Sequence, residues 1–158
     1  VGSEWFGHAG IRIKPAACTI HERYYWWIER HWKFSETFLK DAFPGTPFRP
    51  MVMRLLGLKV GRKVFDDGCS IPEKQLVEIG DGATINAEVV IQGHSLEDGL
   101  YKADHIRIGA GATLAPCSFV HYGAEMETGS VLDTDSFMMK GARSTALTRW
   151  RGNPARPV

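Results

Sequence analysis

The chain has 158 residues, 44% of them apolar, and a formal net charge of +1. That suits one domain, or one domain with a helical appendage, and gives no electrostatic reason to expect nucleic acid or an anionic membrane as partner. No apolar run approaches the ~18 residues of a membrane span and no signal peptide is visible, while Cys18, Cys69 and Cys117 form no disulfide framework or zinc pattern and fit a reducing compartment.

Residues 1 to 57 read as an N-terminal helical segment. Gly10–Lys14 suits a short strand that Pro15 ends. Thr19 with Glu22 makes a capping box, so a helix is expected from there. Its inward face is expected to hold Tyr24, Trp27, Ile28, His31, Trp32, Ser35, Phe38 and Leu39, with Glu29–Lys33 and Glu36–Lys40 pairing on the solvent side. The aromatic density suits a helix packed on a larger body, or a contact with a subunit or a membrane, since Trp and Tyr tolerate half-wet positions. Phe43–Pro44–Gly45 breaks the helix, and a second short helix fits Pro50–Leu56 with Gly57 as its cap.

Residues 58 to 158 repeat every six. The first places are Ile79, Ile85, Ile91, Ile108, Leu114, Val120, Met126, Leu132 and Met138, all aliphatic. The fifth places, from Ala83 to Ala142, are small or β-branched. A strand alternates its side chains, so one short strand can send an aliphatic and a small residue inward. Six residues then make one side and one corner, and three sides close a triangular coil. The fold class expected is mainly β: a parallel β-helix of hexapeptide repeats behind an aromatic-rich helical segment. Val60–Phe65 fits the frame, Asp66 breaks the aliphatic ladder, and Pro72–Glu78 is a small excursion. A larger interruption, Glu97 to Arg107, adds eleven residues before the frame resumes. Loops thrown out of a regular coil commonly carry binding or chemistry. Trp150–Ala155 has turn chemistry and is expected to fold back along the last coil.

Of six histidines, His8, His21 and His31 lie outside the coils and suit surface or packing roles. His94 stands just before the large interruption with Glu97 and Asp98 close behind. An imidazole there can take a proton near neutral pH, and a carboxylate can fix its tautomer. His121 could line the same groove one coil on. His94, His105 and His121 are spaced too widely for a metal site, so no metal is expected. Cys117, in a regular coil, suits packing more than nucleophilic attack.

The coils, His94 beside the interruption, and Gly152–Asn153–Pro154–Ala155 resemble the hexapeptide-repeat acyltransferases. That resemblance implies a left-handed β-helix, a trimer with its site between subunits, His94 as general base, and Gly152, Asn153 and Pro154 as donor-binding residues. A closer resemblance runs through Tyr25–Trp26–Trp27, Arg54–Leu55–Leu56–Gly57, Gln92–Gly93–His94–Ser95–Leu96–Glu97–Asp98 and Met139–Lys140–Gly141. It is to the C-terminal region of nonribosomal peptide synthetases of the ε-poly-lysine synthetase type. It implies a phosphopantetheine thioester donor, carrier-bound or as CoA, and an amine acceptor. Adenylation and carrier (thiolation) domains are the implied partners, within a larger membrane protein whose domain is cytoplasmic at the inner face of the membrane. The start at Val1 likewise suggests a piece of something longer. One departure stands out: where the acetyltransferases take an oxyanion-binding N–H, this chain has Pro116, which has none. Two other readings therefore stay open, a non-catalytic trimerising scaffold and a free-standing acetyl-CoA-dependent acetyltransferase.

Overall fold

A computed structural model describes residues 13–39 and 42–158. Strand β1 (Ala16–Thr19) precedes helix α1 (Arg23–Leu39), and helix α2 (Phe48–Leu55) closes the helical segment. The coils follow as β2 (Lys59–Val60), β3 (Phe65–Asp66), β4 (Val77–Ile79), β5 (Thr84–Ile85) and β6 (Val90–Gln92). Next come β7 (His94–Glu97), β8 (Leu100–Ala103), β9 (Ile106–Ile108), β10 (Thr113–Leu114) and β11 (Phe119–His121). The chain ends through β12 (Glu125–Met126), β13 (Val131–Leu132), β14 (Phe137–Met138), β15 (Arg149–Gly152) and β16 (Ala155–Pro157).

Three parallel sheets form the sides of a left-handed β-helix. Side B stacks β2, β4, β9 and β12; side C stacks β3, β5, β10, β13 and β15; side D stacks β6, β11 and β14. In the regular coils each residue pairs with the one eighteen further on, as Leu114 does with Leu132. The step is 29 across the large interruption, as from Ile85 to Leu114, so the frame resumes in phase. All nine ladder residues are 3% exposed or less. Stacked aliphatics thus form one continuous core, and the small fifth-place residues from Ala83 to Ser136 are buried at the corners.

Asp66 does not break the coil. It keeps the inward place opposite Ile85, buried against Arg49, whose side chain is fully buried. Arg49 Nε donates to Asp66 Oδ2 at 3.1 Å, and its other nitrogens donate to the carbonyls of Leu39, Ala42 and Cys69. Asp66 Oδ1 accepts from the N–H groups of Gly68 and Cys69. A buried charge is tolerated only when paired and hydrogen-bonded in this way. The pair ties α2 to the first coil.

Several local expectations change. Of the expected strand, residues 10–12 lie outside the described residues, as does His8; the strand seen is β1, after Pro15. Glu22 Oε1 accepts from Thr19 N–H at 3.0 Å, and α1 begins one residue later. The expected inward face of α1 holds at six of its eight places, with Ile28 and Ser35 buried and Tyr24, His31, Trp32 and Leu39 half-buried, but Trp27 and Phe38 are 48% and 68% exposed. Glu29–Lys33 forms as expected at 2.7 Å. Glu36 instead faces inward, to Lys74 Nζ at 2.6 Å and Ser70 Oγ at 2.8 Å, while Lys40 lies outside the described residues. α2 starts two residues before Pro50, and Gly57 ends it at φ +95°. Cys117 is exposed at a corner with φ +59°, not packed in the core. The tail adds β15 to side C and folds back as β16.

Candidate active site

Both interruptions of the six-residue frame fall at one corner, between sides D and B, on successive coils. The first, after Ser70, carries Glu73 in a buried excursion with a 3₁₀ turn at Lys74–Leu76. The second is not a loose loop. It is a β-hairpin of β7 and β8, turned at Asp98 and Gly99, whose φ angles of 53° and 72° suit a two-residue hairpin turn. β1 adds to the hairpin as a third, antiparallel strand.

His94 stands at the base of this hairpin, 8% exposed. Its Nδ1 lies 2.7 Å from Glu73 Oε1. Glu73 Oε2 accepts from the Gly93 N–H at 3.0 Å. A carboxylate that accepts from both groups sets the imidazole tautomer: Nδ1 carries the proton and Nε2 keeps its lone pair. Among the described residues no hydrogen-bond partner occupies Nε2. Glu73 was not a candidate from the sequence, because it sits 21 residues before His94 and only coil stacking joins them.

The other candidates take different places. Glu97 is ion-paired with Lys140 at 2.6 Å and Lys102 at 3.4 Å, and the Lys140 hydrogen bond holds its carboxyl below the usual range. Asp98 is an exposed turn residue. His121 pairs in register with Gln92 on the coil below. Its Nε2–H donates to the His94 carbonyl at 3.1 Å, which also accepts from Gln92 Nε2 at 3.0 Å. Burial pushes the His121 imidazole below its ordinary value, which favours the neutral form. His121 therefore braces the His94 backbone rather than facing its ring. His105 lines a separate cavity of about 140 Å³ on side B with Lys59 and Arg107.

Gly152, Asn153 and Pro154 form the turn between β15 and β16, with a cis bond at Asn153–Pro154. Along side C, β15 lies three coils beyond β5, the side C strand of the coil that carries His94. That is roughly 14 Å along the axis at the spacing of neighbouring strands. A single chain does not bring the turn to His94. Pro116 lies at an exposed corner, where its carbonyl accepts from the Asp135 N–H at 3.2 Å. Among the described residues no three His, Cys, Asp or Glu side chains group to hold a metal ion.

No family model matches the chain. The chain is 34% identical over 150 residues to a delta-poly-L-ornithine synthetase of Acinetobacter baumannii, which covers 92% of this chain. It spans only 11% of that relative's length. Among solved structures, a maltose O-acetyltransferase from Clostridium difficile matches with a TM-score of 0.64 at 15% identity, over 91% of each chain. A galactoside acetyltransferase in complex with coenzyme A matches with a TM-score of 0.65 at 17% identity, over 91% of this chain and 86% of that one. The fold is that of the hexapeptide-repeat acetyltransferases. Each of those matches covers 91% of this chain, so the likeness extends beyond the coils.

Proposed function

We propose that this chain is an acyltransferase domain of a larger synthetase, forming an amide by amine attack on a carrier-bound aminoacyl thioester. The observation that carries this reading is the His94 imidazole, oriented by buried Glu73 at Nδ1 and, among the described residues, without a hydrogen-bond partner at Nε2. Nε2 takes a proton from the acceptor amine as its nitrogen attacks the thioester carbonyl. Glu73 steadies the imidazolium that forms. The tetrahedral adduct collapses by breaking its C–S bond, and the imidazolium returns its proton to the departing thiolate. Amide and free thiol are the products.

The likeness to a poly-ornithine synthetase supports an amine acceptor; the thioester on a carrier domain, activated by an adenylation domain of the same protein, is what the resemblance to the peptide synthetases implies. The fold supports a homotrimer, in which the Gly152–Pro154 turn of one subunit would take a donor arm running along the groove. Side D offers a surface for this, a half-buried aromatic column of Phe119 and Phe137 with centroids 5.1 Å apart. The reading also locates the domain at the inner face of a membrane. Its support is the outward face of α1, where Trp26, Trp27, Phe34 and Phe38 stand beside exposed Arg23 and Arg30, while Glu29 and Glu36 are engaged by other side chains. The net charge of the chain hides this local basic and aromatic face.

One observation favours a second reading. Pro116 offers no N–H where the resemblance expects an oxyanion donor, so a scaffold copy holding active domains together is the alternative. The deciding experiment is transfer from an aminoacyl-pantetheine thioester to a free amino acid, read by mass spectrometry. The parent forms amide, and His94→Ala forms none while keeping its assembly. No product from a folded parent, with or without its carrier domain, favours the scaffold.

A further inference from the structure

The base chemistry leaves one neighbour of His94 unused. Tyr101, on β8, lies against the imidazole with centroids 5.3 Å apart and planes at 25°. Tyr25 of α1 also packs against Tyr101, with centroids 5.6 Å apart and planes at 57°. Three rings thus run from the helix through the hairpin to His94. β1, whose Cys18 is opposite Tyr101, closes the same cluster with Ile28 and Leu76.

Tyr101 is fully buried, yet its hydroxyl has no hydrogen-bond partner among the described residues. Burial, with Glu73 adding its charge, pushes the phenol far above its ordinary range, so it stays protonated. An unpaired buried hydroxyl opposes folding. The position therefore uses the ring and gains nothing visible from the oxygen. The Glu73 bond fixes one point of the imidazole, Nδ1, and leaves the tilt of the ring about that contact open. The second torsion of histidine is broad, so one hydrogen bond does not fix the plane. A flat ring stacked on it does.

We propose that Tyr101 is a positioning residue for His94: its ring, packed against Tyr25, holds the imidazole plane so that Nδ1 stays on Glu73 and Nε2 stays presented to substrate. The inference rests on His94 being the base. It makes the hairpin and α1 parts of the reacting unit rather than an appendage.

The test uses the full chain with Tyr101→Phe, Tyr101→Leu and Tyr101→Ala. Two quantities are read: amide formation, and the tautomer of His94 from long-range proton–nitrogen NMR of the neutral imidazole. Tyr101→Phe is expected to keep the rate within about twofold, keep one tautomer and melt no lower than the parent. Tyr101→Ala should lower kcat about two- to twelvefold, the worth of an aromatic pair, with KM little changed and mixed tautomers. Tyr101→Leu, which fills the space without a flat ring, should follow Ala and serves if Ala does not fold. A parent-like rate and tautomer in Ala or Leu overturns the proposal. So does a loss in Phe equal to that in Ala, which would assign the role to the hydroxyl. If no protein transfers, the acyltransferase reading fails, and the tautomer series alone still decides whether Tyr101 orients the ring.

Discussion

Glu73→Gln tests the geometry most sharply, because it changes a charge and one hydrogen-bonding group without changing shape. Glu73 Oε1 faces His94 Nδ1 at 2.7 Å and Oε2 faces the Gly93 N–H at 3.0 Å, with the carboxylate fully buried. Both neighbours donate, and a carboxylate accepts twice. A glutamine accepts at one end only, so its NH₂ must face either the backbone N–H or the imidazole. Facing Gly93 leaves two donors opposed in a dry site. Facing His94 drives the imidazole to its other tautomer, with the proton on Nε2, and removes the lone pair that the reaction needs. A hydrogen bond to a charged group contributes about 1.5–3 kcal/mol. If that difference appears in the transition state, transfer falls about ten- to 150-fold. The assay is single-turnover amide formation from an aminoacyl-pantetheine thioester, with circular dichroism to verify folding. A folded Glu73→Gln protein that transfers within twofold of the parent would refute the Glu73–His94 reasoning. A second check is Glu73→Asp. It keeps the charge and both acceptors but shortens the reach by one methylene, so recovery over Gln would assign the effect to charge and acceptance, and no recovery would assign it to placement.

Arg49→Met leaves Asp66 buried without its cation, and urea unfolding should show a loss of about 3–5 kcal/mol; a loss under 1 kcal/mol would mean that the pair does not tie α2 to the coils. For His121 the folded value is depressed, so the stability it contributes is present above about pH 6.5 and is lost as pH falls through the folded value. Its NMR titration midpoint should lie below 6.5 and His121→Gln should flatten the fall in stability on acidification, whereas a midpoint above 6.5 contradicts the burial argument. A Cβ at Gly93 would sit 3.2 Å from both Cβ and Oε2 of Glu73, so Gly93→Ala should displace the carboxylate and slow transfer, and an unchanged rate would argue against a tightly held dyad. Phe137→Glu puts a charge into the side D column and should convert a particle near three times 17.6 kDa into a monomer by light scattering; a persistent trimer would move the interface elsewhere. Flotation of the chain with vesicles containing phosphatidylglycerol, but not with phosphatidylcholine alone, is expected from the outward face of α1 and should be lost in Trp27→Ala/Phe34→Ala; equal recovery from both vesicle types would remove the membrane assignment.

Two parts of the site were within reach of the sequence and were missed. Asp98–Gly99 between two runs of alternating residues is a strong short-range hairpin signal, so β7 and β8 were readable where a loop was expected. Both interruptions, at Pro72–Glu78 and Glu97–Arg107, interrupt the frame about one coil apart, so they emerge at the same corner. That arithmetic brings Glu73 near His94 before any coordinates are seen. By contrast, the choice of Glu73 over Glu97 and Asp98 had no local signal. Glu97 and Asp98 are close in sequence, but the hairpin carries them outward, Glu97 to Lys140 and Lys102 and Asp98 to the turn.

What the sequence by itself determined was the β-helix: its period, its coils, and which nine aliphatic residues meet at the centre. The reason is that alternation of side chains along a strand is local, and a repeat meets the same environment every six residues. The tertiary structure decided which side chains make up the site. The outward placing of Trp27 and Phe38, the inward turn of Glu36 and the buried Arg49–Asp66 pair depend on which surface the coils offer, and periodicity does not encode that surface. The meeting of Glu73, His94, Tyr101 and Tyr25 joins an excursion, a hairpin and a helix. Coil stacking brings Glu73 to His94, pairing of β7 with β8 brings Tyr101, and packing of α1 on the hairpin brings Tyr25.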